Sequence, residues 1–596
     1  MANARFTGSP VDRLFVLLLA LLAGPLAAGV AEPGSPTDPV FDLKSIQEAP
    51  LDAVVRKTSA ADGIVTEEIE YTAEVVAGKP VRIFGMLAFP RGGKRLPALF
   101  WSQPGMAPAG TWWPQVFARK GYLCLNITLP HDVYDSFSRY TVETPRQGNL
   151  ARLAVAQMRG ITYLAQRPEA DPDRIGVAGR SYGGLFATLI AGADPRVKAG
   201  LAFFVGGNHR LGSNFPQFTA LRTAAEIAAW DATIDPAWRL RHRAVPFLWG
   251  IAANDPWMQL PAAVQTYQDA AGDDKRLFIA PNWSHALPEA GDRTLLDWFD
   301  IHLARTLPAY NHPSSLTITN RHGRLIATWS WTGSRRSKSA TIVVSYGAVR
   351  PWHGWVRRYH HSIPATIDGA TARADIPVPD PDTALLAYGN LEDERGALVS
   401  TEPIAVIPRQ LGVEVGTKDF SLNTALFREF TSAEMAFAAR LGWDLGGQAD
   451  AHQKHASTHS LRAEGKAVMV LPLAHLPDHA HRLTLWVRAA PPATLHIEVA
   501  GLPPQSWNQP AVDILRREYG NDPDRRREKW RAPIFSLEAR ADTEWREVAL
   551  DCPDSGTPVE GYDLRVSRPD GAGAWWIDTV AFHARPARPA DKKGKD

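Results

Sequence analysis

Three residues in this chain have the types and the order needed for acyl transfer. Gly179-Arg180-Ser181-Tyr182-Gly183 reads Gly-x-Ser-x-Gly, between the apolar run "RIGVAG" and the amphipathic "GLFATLIAG". That context puts the serine on a sharp strand-to-helix turn, where a strained backbone and small neighbours (Gly179 and Gly183) aim its hydroxyl off the end of a sheet. The Tyr182 N–H then opens the helix and points to where an oxyanion would form. A serine hydroxyl is a weak nucleophile until a base takes its proton. The expected partners follow in the order acid, then histidine, each in a loop after a later strand. Asp255 comes after "VPFLWGIAAN", 74 residues beyond Ser181, and His285 comes after "KRLFIAPNWS", 30 residues further on. Asp255 would hold the imidazole tautomer and stabilise its charged form, while His285 takes and returns the proton.

Other candidates fit less well. Asp231 and Asp235 lie in an insert, where a helix cap or turn is the commoner role, and Asp269 falls mid-helix. His302 sits inside the last helix of the domain. His209 follows the strand before the insert and is either a substrate contact or a surface imidazole. Trp257 and Trp283, in the acid and histidine loops, are further candidate substrate contacts. The second oxyanion donor should come from Ser102-Gln103-Pro104-Gly105-Met106, after "LPALFW". Pro104 has no N–H, which leaves Gln103 or Met106. No Gly-rich phosphate loop and no metal-ligand spacing is present, so neither a metal nor a cofactor is expected.

These residues need a sheet to carry them. From about Glu67, two strands "EEIEYTAEVV" and "VRIFGMLAFP" form an antiparallel edge. Short apolar runs then alternate with helical stretches through "RTLLDWFDIHLA", the pattern of a parallel sheet with helices on both faces. This domain is expected over residues 67–305. The insert 206–244 leaves and re-enters at the catalytic edge. Its "FTALRTAAEIAAW" could close over the pocket with Phe218, Leu221, Ala225 and Ala228, or pack on the sheet flank. Beyond Pro308 the runs become short and alternating, which predicts one β-sandwich over 309–408 and a second over 411–586. The charged stretch 513–530 reads as a solvated excursion, and 587–596 as a disordered tail.

At 596 residues the chain exceeds what one core can serve. A net charge of +2 gives no basic face for nucleic acid. Arg5 and Arg13, the apolar run Leu14 to Leu22 and the small residues ending at Ala31 have the form of a secretory signal peptide over 1–31. Residues 32–66 read as a linker or extension whose beginning, Glu32 to Asp38, is disordered. No later segment is apolar enough to span a membrane. The two cysteines, Cys124 and Cys552, make no disulfide scaffold. Most of the 20 tryptophans should be core.

Residues 67–305 resemble the α/β-hydrolase superfamily. "DPDRIGVAGRSYGG" is similar to dienelactone-hydrolase-like and prolyl-oligopeptidase-type catalytic domains, and "FARKGYLCLNITLP" resembles acetyl xylan esterase-like members. Tyr182 stands where acetyl xylan esterases usually carry Gln. The loop Gln103-Pro104-Gly105 departs from the His-Gly oxyanion loop of the peptidases, as does the absence of a large β-domain ahead of the hydrolase. The 411–586 run, closing on "WWIDTVAF", resembles the galactose-binding-like jelly rolls of secreted carbohydrate enzymes; Trp575 and Trp576 there either stack on sugar or fill the core. The resemblance implies a secreted or periplasmic serine esterase acting on a small-molecule or polysaccharide ester, most simply an acetylated carbohydrate. A serine peptidase and a catalytically inactive carbohydrate-binding or adhesion protein are the alternatives. The C-terminal sandwich would hold the enzyme on polymer, or simply pack against it.

Overall fold

The computed structural model describes residue 38 and residues 40–585, apart from 106, 135–144, 213–222, 256, 284, 348–357, 419–422, 424, 426, 441–443, 475–479, 503–531 and 553–560. The expected leader, the C-terminal tail, Met106, Phe218, Leu221 and the charged stretch 513–530 therefore lie outside the described residues.

The first domain is a nine-stranded sheet. Its strands are β1 (Val54–Ala61), β2 (Ile64–Val76), β3 (Lys79–Pro90), β4 (Leu96–Ser102), β5 (Leu123–Ile127), β6 (Ala170–Arg180), β7 (Val197–Phe203), β8 (Phe247–Ala252) and β9 (Lys275–Ala280). Their pairings give the spatial order β1-β2-β3-β5-β4-β6-β7-β8-β9. The first four in that row pair antiparallel, and every pairing from β5 onward is parallel. β5 and β8 are buried at every position, as strands covered on both faces must be.

The helices that cover the sheet are α1 (Leu43–Glu48), α2 (Trp112–Arg119), α3 (Asn149–Gln166), α4 (Tyr182–Ala193), α5 (Ala224–Thr233), α6 (Pro236–Arg241), α7 (Leu260–Asp269) and α8 (Glu289–Phe299). α3, α4 and α7 pack into the apolar cluster on one face, and α2 and α8 into that on the other. α4, "YGGLFATLIAGA", is buried along its whole length, which suits a helix apolar all round.

The domain begins earlier than the alternating pattern indicates. Val40, Phe41, Ile46 and Leu51 belong to its core. Asp38, expected in a disordered link, is fully buried and ion-paired with the buried Arg239 of α6. Its other oxygen accepts the Val40 and Phe41 amides at 2.8 and 3.0 Å. Arg159 of α3 donates to the Ile46 and Pro50 carbonyls at 2.7 and 2.6 Å. Residues 38–66 are thus part of the hydrolase domain, held by polar contacts whose partners lie more than a hundred residues away.

The middle domain contains β10 (His312–Pro313), β11 (Thr317–Arg321), β12 (Arg324–Thr332), β13 (Ser337–Tyr346), β14 (His361–Asp368), β15 (Thr371–Ile376), β16 (Leu385–Asp393), β17 (Leu398–Ser400) and β18 (Ile404–Val406). β14 pairs with β13 through one half and with β15 through the other, which joins the two sheets of a sandwich. Its core does not stand apart. Trp329, Ile342, Val344 and Leu385 are continuous with Trp101, Phe117, Leu295, Trp298 and Phe299 of the hydrolase. β17 pairs with β9 at Ser400–Leu277, so the sandwich caps the open edge of the parallel sheet. Between the domains, Asp297 of α8 is fully buried and accepts from Arg395 at 2.8 and 3.0 Å and from Arg335 at 3.2 Å. Burial would raise the Asp297 carboxyl, but the hydrogen bonds and charges of Arg395 and Arg335 hold it below the usual carboxylate range.

The C-terminal domain stacks a five-stranded sheet on a four-stranded one. Trp575 and Trp576 are both buried there, and the Trp576 indole donates to Asp450 at 2.9 Å. Trp575 is therefore core, and the Trp576 ring lies beneath the Arg462 and Arg488 guanidiniums at 6.0 and 5.5 Å. Cys124 and Cys552 are free and buried, and burial raises both thiols. Among the described residues no helix is long and apolar enough to cross a membrane.

Candidate active site

Ser181 joins β6 to α4 with φ 55° and ψ −125°, a left-handed conformation that costs a non-glycine residue about 1–3 kcal/mol. The flanking glycines make the turn possible. A Cβ on Gly179 would lie 2.2 Å from the Gly183 carbonyl oxygen, and one on Gly183 would lie 2.2 Å from that of Ser102. The Ser181 amide donates to Phe203 O at 2.9 Å, tying the turn to the end of β7.

β8 and β9 deliver the other two groups. Asp255, almost fully buried, follows β8. Its Oδ2 lies 2.8 Å from His285 Nδ1. Its Oδ1 accepts the Trp257 and Met258 amides at 2.7 and 3.2 Å. Both carboxylate oxygens are thus committed, one to the imidazole and one to the main chain. His285 follows β9 and packs its ring 4.8 Å from Phe204, one residue beyond the Phe203 carbonyl that holds Ser181. Serine and imidazole are therefore brought to one corner of the sheet. Among the described residues the imidazole's hydrogen bond is to Asp255, and none joins it to the Ser181 hydroxyl.

Ser102 of β4 pairs alongside Gly179 of β6, so the loop beginning at Gln103 emerges next to Ser181. This loop is fastened by Asn126 of β5. Asn126 Oδ1 accepts from Gln103 Nε2 and from the Gly110 amide, both at 2.7 Å, and Asn126 Nδ2 donates to Trp101 O at 2.9 Å. Sequence reasoning missed Asn126, although an amide inside the apolar "YLCLNITLP" was a visible signal. It also missed His131, whose ring stacks on Tyr182 at 6.0 Å.

The rival acids have structural roles. Asp235 caps α6 by accepting the Ala237 amide at 2.8 Å. Asp231 pairs with Arg210 at 2.5 Å, and burial raises its carboxyl to about 6. Asp269 pairs with Arg241. His302 packs on Trp298 at 4.0 Å, and burial lowers it to about 4. His209 is a correction. It is fully buried, edge-on to Trp230 at 5.5 Å, and burial lowers its imidazole, so it is not a surface imidazole. Trp257 is 43% exposed. Trp283 is half-buried, and its carbonyl accepts the Asn254 amide at 3.0 Å. In the insert, Ala225 and Ala228 face solvent while Trp230 of the same helix is buried. Of the closing face expected there, the two described residues are thus exposed.

Residues 113–244 match the model of the dienelactone hydrolase family. No curated protein matches the chain. Among solved structures, the acetyl xylan esterase from Paenibacillus sp. R4 is 18% identical, over 44% of this chain and 92% of that one, with a TM-score of 0.38. Acetyl xylan esterase 1 from Thermoanaerobacterium sp. JW/SL YS485 is 16% identical over 45% and 95%, with a TM-score of 0.35. The glucuronoyl esterase from Solibacter usitatus is 13% identical over 42% and 86%, with a TM-score of 0.32. Sheet order, elbow and family match together make the first domain a serine-type α/β-hydrolase of the carboxylic-ester class.

Proposed function

We propose that this α/β-hydrolase is a secreted enzyme that removes acyl groups from an esterified carbohydrate, with Ser181, His285 and Asp255 as its triad. The observation that carries the reading is the His285–Asp255 hydrogen bond, 2.8 Å long, at the sheet edge where Ser181 holds its strained φ of 55°. His285 Nε2 takes the Ser181 proton as Oγ attacks the ester carbonyl. The oxyanion is held by the amides of Tyr182 and Gln103. The tetrahedral intermediate expels the alcohol, which leaves with the proton from His285, and Ser181 keeps the acyl group. Water then loses its proton to His285, attacks the acyl-enzyme and releases the carboxylic acid and free Ser181.

The leader-like residues 1–31 support secretion. Two large exposed aromatics support a sugar. Trp257 lies two residues beyond Asp255, and Trp112, 73% exposed, starts the helix after the oxyanion loop. Such faces suit the apolar side of a sugar ring. The test is labelling with a fluorophosphonate, followed by turnover of short acyl esters, acetylated sugars and aminoacyl anilides. Ser181→Ala should abolish labelling and lower ester turnover by about 10³-fold or more. Labelling of the Ser181→Ala variant, or preferred cleavage of the anilides, would refute the reading.

A further inference from the structure

We propose that the main-chain segment Arg358-Tyr359-His360 of the middle sandwich is a positioning element for the catalytic acid and histidine loops, an inference that rests on the triad reading above. Two asparagines carry it. Asn254 immediately precedes Asp255 and is fully buried. Its Nδ2 donates to Arg358 O at 2.6 Å, and its amide donates to Trp283 O at 3.0 Å. Asn282 lies three residues before His285 with φ 57°. Its Nδ2 donates to His360 O at 2.8 Å, and its Oδ1 accepts the His360 amide at 2.9 Å. One segment of a different domain thus holds both loops, and the loops are bonded to each other.

The segment is itself fixed. Arg358 and His360 are buried. The Arg358 guanidinium donates to Ser345 Oγ at 2.7 Å and to Gly347 O at 2.9 Å. Tyr359, between them, packs against the core of the C-terminal sandwich and lies under Arg428 at 5.5 Å, so all three domains meet behind the triad. The same sandwich grips β9, which launches the histidine loop: the Ile279 amide donates to Ser400 Oγ at 2.8 Å, and Asn390 donates to Ile279 O at 3.1 Å. Neither catalytic loop has regular secondary structure of its own at these residues. An error of about 1 Å in a reacting group can cost on the order of 10²-fold in rate.

On the sandwich side the described bonds to Asn254 and Asn282 all use main-chain atoms, so the test removes the asparagine side chains in the full-length protein. Asn282→Gly tolerates the left-handed φ and loses both bonds to His360; Asn254→Ala loses the bond to Arg358. Each should lower kcat on a short acyl ester by about 10- to 100-fold, with KM within about twofold and fluorophosphonate labelling slowed in parallel, well below the melting temperature. Asn282→Asp keeps the acceptor for the His360 amide and should recover part of the rate. Wild-type kcat and labelling rates in Asn282→Gly and Asn254→Ala would overturn the positioning role while leaving the triad standing. So would a loss confined to KM, or no recovery in Asn282→Asp. Wild-type protein that does not label at Ser181 would overturn both.

Discussion

Replacing Asp255 by asparagine changes one atom and should disable the enzyme, because the structure dictates which way the new amide must face. Oδ1 of Asp255 accepts two main-chain amides, Trp257 and Met258, and Oδ2 faces His285 Nδ1. An Asn side chain keeps its carbonyl oxygen toward the two amides and so presents NH₂ to the imidazole. Nδ1 must then accept, the ring proton moves to Nε2, and the base can no longer take the Ser181 proton. The opposite amide orientation would set NH₂ against two main-chain donors. Leaving both unpaired costs about 2–6 kcal/mol, so the productive form is populated at roughly one part in 30 to one part in 10⁴. Even that form lacks the negative charge that stabilises the imidazolium, a further loss of about 1.5–3 kcal/mol. Together these predict a fall in kcat on the order of 10³-fold or more with the fold intact. Steady-state hydrolysis of a short acyl ester and the rate of fluorophosphonate labelling measure it, with circular dichroism to verify folding. A folded Asp255→Asn protein within tenfold of wild type would refute the assignment of the acid.

Gly183→Ala brings a Cβ to 2.2 Å from Ser102 O and 2.6 Å from Gln103 O, so β4 and the oxyanion loop must shift by most of an ångström. A loss of about 10²-fold in kcat and a lowered Tm are expected; unchanged values for both would sink the steric argument. A chain ended after Arg305 loses Arg335 and Arg395 from the buried Asp297 and uncovers Trp298 and Leu295. It should aggregate and lose activity on small and polymeric esters together, whereas monodisperse protein with normal turnover of small esters would mean the sandwich is dispensable. His302, His360 and His361 are lowered by burial to about 4, 3 and 4. All three are neutral in the folded state, so the stability they contribute is complete above the unfolded histidine value near 6.5 and declines as pH falls toward those lower values. Calorimetry should show Tm dropping between about pH 6.5 and 4; a level Tm across that interval would contradict the buried neutral imidazoles.

The elbow, and the pair Asp255 and His285 that the fold joins by a hydrogen bond, were readable because each depends on a short window: a glycine pattern, or a titratable residue directly after an apolar run. The alternation of strands and helices was equally local. Residues 38–66 were misjudged for the opposite reason. Nothing near Asp38 hints that a charge will be buried there, since its counter-ion Arg239 lies 201 positions away, and β1 is exposed along its length. His209 looked like a polar loop residue because Trp230, which covers it, comes from a later helix. The two sandwiches were recognisable as strands and turns. That the middle one shares a core with the hydrolase was not, because sheet-edge pairing such as Ser400 with Leu277 leaves no trace in either segment alone.

The Asp38–Arg239 pair also sets an order of events during synthesis. Asp38 is made 201 positions before Arg239, the guanidinium it pairs with. At roughly 5–20 residues per second that interval is on the order of ten to forty seconds. Burying the carboxylate without that guanidinium would cost several kcal/mol, so the Asp38 segment docks only once α6 is in place. The edge of β9 waits longer still, for Ser400. Docking of the Asp38 segment and capping of β9 therefore both wait on parts of the chain more than a hundred positions further on.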